Sequence, residues 1–167
     1  MILELSAQRL WKRLRAADRQ AAAIHLFAEQ APEAVAGATG VIARARRMRP
    51  QAVRAMAPEA QGRAVASILD PGEALAASLL VALHLGARRD LLKAFLDAMG
   101  LPHEDGILTD DADKAPAPTL DGLRQGIRAL ASFPQDQVAT YLNTLYLQDP
   151  ERWSALADVD AVFETAR

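Results

Sequence analysis

The sequence contains no cysteine. Disulfides, thiolate nucleophiles, iron–sulfur clusters and cysteine-ligated zinc are excluded together, and a reducing, cytoplasmic setting is the expectation. Aromatic residues make up only 5% of the chain, and β-branched residues are scattered, so the residue types that favour strands are scarce. Long apolar runs are missing as well. The most apolar stretch, Ala74 to Leu85, covers about a dozen residues where a membrane span needs roughly 20, and it is read as a buried core helix. At the amino end, Met1 to Leu5 precedes Arg9, Lys12 and Arg13, which reverses the charge order of a signal peptide.

What the chain has instead is alanine and leucine. Hydrophobic residues are 51% of 167 and charged residues 24%, the balance of a globular domain rather than a disordered one. Ala and Leu are strong helix formers, because neither loses much side-chain freedom in a helix. The expected fold is therefore all-α: an antiparallel multi-helix bundle in one domain over 1–167, with a polar, proline-containing loop at about 101–119. Helix starts are expected at Ser6, Asp18, Pro32, Pro58, Pro71, Arg88, Leu120, Pro134 and Pro150; Pro50 is expected to stop the third helix, with a short helix to Met56 after it, and Asp160 to cap a last turn that contains Phe163. Short polar residues accept the orphan amides of a first turn, and proline is tolerated at the first helical position. The openings at Asp18/Pro32 and Pro58/Pro71 lie 40 residues apart, so a short HEAT-like helical-repeat array is the alternative architecture. Periodicity assigns Leu10, Ile24, Phe27, Leu75, Leu79, Leu83, Leu92, Phe95, Leu142 and Leu145 to the core. Gly122 and Gly126, four apart on one helix face, are read as a packing surface; Gly37 and Gly40 fit either packing or simple tolerance.

Charge is segregated. Residues 1–63 hold 11 Lys/Arg against 5 Asp/Glu, and residues 64–167 hold 8 against 16, for a net charge of −2. A basic and an acidic pole can steer partners or promote head-to-tail contacts. Arg44, Arg46, Arg47, Arg49 and Arg54 form the densest basic run. Guanidinium groups bind carboxylates or phosphates, so Arg44, Arg47 and Arg54 are the candidate partner-binding residues. The bland alternative is a helix end whose cations complement its dipole. No aromatic is interleaved with the run, no nucleic-acid reader motif is present, and the pI is about 5.9. An acidic protein partner, or a second copy of the chain, is preferred over nucleic acid.

Catalytic signatures are few. No Gly-x-Ser-x-Gly elbow, phosphate-binding glycine loop, dinucleotide fingerprint or His-Glu-x-x-His helix occurs. His25 has Glu29 four residues on, a routine helix pair. The segment 103–113 gathers His103, Glu104, Asp105, Asp110, Asp111 and Asp113, a composition that suits a divalent metal. It fails the calcium-loop spacing, and Asp105-Gly106 reads as a turn whose neighbours Ile107 and Leu108 are drawn inward. No metal or cofactor is expected. The leading expectation is a non-enzymatic helical protein-interaction domain. The alternative is a metal-dependent hydrolase or metal-binding protein using His103, Asp105, Asp110 and Asp111, and a second alternative is nucleic-acid binding through the arginine-rich half.

Overall fold

The computed structural model describes residues 6–29 and 31–159. Among them are ten α-helices, one two-stranded hairpin and a final 3₁₀ helix, an all-α fold. None of these helices is long and apolar enough to cross a membrane. The chain divides between Ala87 and Arg88 into two compact units. The expected end-caps at Asp160 and Phe163 lie outside the described residues.

The first unit, residues 6–87, contains α1 (Ala7–Arg13), α2 (Ala16–Glu29), α3 (Pro32–Arg46), α4 (Pro50–Arg54), α5 (Pro58–Ala66) and α6 (Glu73–Ala87). Helix α2 packs along both α5 and α6, and α1 lies on α6. Three polar anchors fix this arrangement. The Ser6 hydroxyl caps α1 by accepting from the Arg9 amide at 3.2 Å. The Glu73 carboxylate accepts from the Ala7 and Gln8 amides at 2.6 and 3.3 Å, so the acid that opens α6 also serves the positive end of α1. The indole of Trp11, fully buried, donates to the Ile68 carbonyl at 2.8 Å, which lets a large ring enter the core with its N–H satisfied. Prolines 32, 50 and 58 each stand at a first helical position, as their fixed φ and missing N–H favour.

Two expectations are corrected here. Asp18 does not cap α2; the helix starts two residues earlier, and Asp18 sits in its first turn, paired with Arg15 at 3.0 Å. Ile24 is 45% exposed. The inward face of α2 is Ala22, Ala23, Leu26 and Phe27, which turns Ile24 to the rim of the contact with α5, where a Cβ on Gly62 would stand 3.4 Å from its Cγ1. The other nine expected core residues are buried.

The second unit, residues 88–159, contains α7 (Arg89–Ala98), the hairpin β1 (His103–Glu104) and β2 (Ile107–Leu108), α8 (Asp110–Asp113), α9 (Leu120–Ala129), α10 (Gln135–Gln148) and a 3₁₀ helix (Ser154–Asp158). Phe95, fully buried on α7, is its centre. Tyr141 meets it edge-on at 5.5 Å between centroids and Trp153 tilts against it at 6.1 Å. Helix α9 passes close to α7 because Gly126 offers no side chain: a Cβ there would lie 2.7 Å from Phe95 Cε2 and 2.8 Å from Met99 Cγ. Gly126 is therefore a packing glycine, as expected. Around Gly122 the contacts are ordinary, and at Gly37 and Gly40 nothing lies within 4 Å of the missing Cβ.

Candidate functional site

Two of the residue groups singled out by sequence can be followed to their places. The first is the arginine run. Arg44 and Arg46 occupy the last turn of α3, where cations complement the carbonyl end of the helix. Arg47 terminates that helix in the left-handed region, at φ 53° and ψ 41°. The Met48 amide returns to the Ala43 carbonyl at 2.9 Å, the six-to-one closure of a Schellman ending. Glycine is the usual residue at this position, since a Cβ there costs roughly 1–2 kcal/mol. Arg49 then leads into α4, and Arg54 ends it. Helices α3 and α4 pack on each other, so Arg44, Arg46, Arg47, Arg49 and Arg54 are carried by one pair of elements. All five are exposed, and none forms an ion pair or side-chain hydrogen bond among the described residues.

Some other basic residues of the same unit are tied into the structure instead. The Arg19 guanidinium is spent on the backbone, with Nε donating to the Ala66 carbonyl at 3.0 Å and Nη1 to the Leu14 carbonyl. Arg15 is paired with Asp18. The division of the chain also follows the charge. Residues 6–87 hold 11 Lys/Arg against 6 Asp/Glu, whereas residues 88–159 hold 7 against 12.

The second group is the acidic segment after α7. The segment expected as a polar loop carries a hairpin and a short helix. Asp105 and Gly106 form its turn with φ of 50° and 88°, the doubly positive geometry of a type I′ hairpin, for which Asp-Gly is a preferred pair. Gly106 is required twice over, because a Cβ there would also stand 3.1 Å from Leu92 Cβ. The turn is clamped to α7 by charge. Asp105 accepts from Arg89 and is paired with Lys93 at 3.3 Å, and these two hydrogen-bonding cations hold its carboxyl below the ordinary carboxylate value. His103 reaches the Asp97 carboxylate through Nε2 at 3.0 Å and accepts from the Gly106 amide through Nδ1 at 3.2 Å. Both ring nitrogens are thus engaged within the hairpin and α7. Among the described residues, no three His, Asp or Glu side chains come together in a way that could hold a metal ion. Ile107 is 50% exposed and Leu108 half-buried, contrary to the expectation that both turn inward; a two-residue strand whose side chains alternate places one of them outward.

Sequence reasoning overlooked the α7 partners. Arg89, Lys93 and Asp97 recur every four residues and so share a helix face, and that face meets the hairpin. The i, i+4 spacing was the available signal. No family model matches the chain, and no curated protein or solved structure matches it either.

Proposed function

We propose that the chain is a non-enzymatic interaction domain that docks an acidic protein surface on the arginine-bearing end formed by α3 and α4. The observation that carries this reading is the set of five exposed guanidiniums without an acidic partner, beside others of the same unit that are tied into the structure. Arg47 adds weight. It occupies a left-handed position where glycine would be less strained, and a side chain kept at such a site points to a use for it. Guanidinium groups suit planar carboxylates, which they bind in a two-pronged fashion. The bulk charge does not favour nucleic acid, because the whole chain is net negative.

The reading is tested by titrating isotopically labelled protein with a glutamate-rich peptide and, separately, with a single-stranded oligonucleotide of equal charge. Amide and guanidinium shifts should concentrate on residues 44–54 with the peptide and fade as salt is raised. Shifts elsewhere, or tighter binding of the oligonucleotide than the peptide at the same salt, would contradict it.

A further inference from the structure

A pocket lies at the other end of α3. Ten residues separate Ala34 from Arg44, which is ~15 Å along the helix axis, so this site is distinct from the arginine end. Helix α3 opens there with small residues, Ala31 and Ala34, facing Val81, Ala82 and Leu85 of α6 and Leu26 of α2. The missing side-chain volume leaves an open pocket of about 270 Å³. An enclosed apolar cavity of roughly 150 Å³ accommodates benzene, so the space matches about two fused rings or a short alkyl chain.

The polar lining is sparse. Among the described residues, His25, Glu29 and Ser78 are the polar members of the lining, and no lysine or arginine contributes. The Ser78 hydroxyl donates to the Ala74 carbonyl of its own helix. His25 Nε2 and Glu29 Oε1 stand 4.0 Å apart, too far for a direct hydrogen bond, and among the described residues neither side chain has another polar partner. The imidazole is also fixed in place. It rests on Gly86 of α6 so closely that a Cβ there would come within 2.5 Å of its Cγ. A held ring nitrogen and a carboxylate oxygen, spaced to receive one N–H donor between them, stand at the edge of an apolar chamber.

We propose that this pocket binds a small primary amine with an apolar body, its ring or alkyl part against Leu26, Ala34 and Ala82 and its ammonium donating to Glu29 and His25. Charge selects the amine: among the described residues the lining offers a carboxylate and no opposing Lys or Arg, so an ammonium is matched and a carboxylate head is repelled. Few, well-placed polar groups on an apolar wall are the usual composition of a small-molecule site.

The test uses three probes with one body, 2-(2-naphthyl)ethylamine, the corresponding alcohol and 2-naphthylacetate, followed through the His25 imidazole signals and the melting temperature. The amine should bind saturably, raise the melting temperature and exceed the carboxylate in affinity by at least about tenfold. Glu29→Gln, a change at an exposed carboxylate, should remove that preference. Ala34→Leu should fill the chamber and abolish binding of the amine while the helical spectrum is retained. Absence of saturable binding by the amine to the wild-type chain, equal affinity for amine and carboxylate, or a preference that survives Glu29→Gln would each overturn the proposal; these readings do not depend on how the filled variant folds.

Discussion

Replacing Gly126 by alanine should destabilise the second unit, although the same change in an open helix stabilises. In a helix interior, Ala is favoured over Gly by up to ~1 kcal/mol. At Gly126 the new methyl would stand 2.7 and 2.9 Å from Phe95 Cε2 and Cδ2 and 2.8 Å from Met99 Cγ. Carbon atoms prefer separations of about 3.5–4.0 Å. Met99 can yield by rotating, since its side chain is unbranched. Phe95 cannot: it is fully buried, with Tyr141 and Trp153 against it. Forcing an extra carbon into such a core costs about 1–3 kcal/mol, and the rigid ring places this site in the upper part of that range. After the helix gain is subtracted, a net loss of about 1–2 kcal/mol is expected. For a cooperative unit of 60–100 residues each kcal/mol moves the midpoint by roughly 4–8 °C. Gly37→Ala is the control, because nothing lies within 4 Å of its missing Cβ. Paired thermal melts read by circular dichroism and by tryptophan emission, to which Trp11 of the first unit and Trp153 of the second both contribute, should show Gly126→Ala falling and Gly37→Ala rising. If both rise, the contact between α7 and α9 is looser than described and the packing argument fails.

Three further outcomes follow from single residues. Gly86→Ala should lower the melting midpoint of the first unit, because the His25 Cβ, only 2.7 Å from the new methyl, is bound to the α2 backbone and cannot swing away; an unchanged midpoint would contradict the close approach of α2 and α6. Arg47→Gly should stabilise the chain by about 1 kcal/mol through relief of the left-handed backbone, while weakening binding of the acidic peptide; denaturant melts and titrations of one variant check both signs. The Asp105 carboxyl is depressed below 3.8 by Arg89 and Lys93, so its contribution is present above that value and is lost as pH falls through the lower folded value. Amide signals of 103–108 should accordingly shift on acidification, with the Asp105 step absent in Asp105→Asn; a step persisting in that variant would assign it to another group.

Much of the architecture was legible from alanine, leucine and proline placement. Pro32 and Pro58 each open a helix where expected, and Pro50 ends one helix and begins the short one expected after it, because proline restricts the backbone locally whatever the surroundings. Asp105-Gly106 was legible as a turn for the same local reason, although the hairpin it closes was not. What escaped the sequence depends on contacts far along the chain. The partner of Trp11 is a carbonyl 57 residues away, and the capping of α1 by Glu73 spans 66. Ile24 misled because an apolar residue on a helix does not reveal how wide the buried face is. The arginine run was visible at once, but its lack of partners was not, since Arg15 and Arg19 look equally available in sequence and are committed in the structure. His25 and Glu29 were read as a routine helix pair; the small residues of α3 and α6 that open a pocket beside them are distant in sequence.

The central claim, an arginine-bearing end that docks acidic protein, is tested most directly by the affinity of the glutamate-rich peptide for the wild-type chain and for Arg44→Ala/Arg47→Ala/Arg54→Ala, measured by fluorescence anisotropy from about 50 to 300 mM salt. Exposed ion pairs contribute ~0.2–1 kcal/mol each, so three together predict a loss of roughly threefold to a hundredfold at low salt. The wild type should weaken steeply as salt rises, the triple variant should respond far less, and the helical spectrum should be unchanged because all three side chains are exposed. A triple variant that binds as tightly as the wild type, with the same salt dependence, would contradict the account.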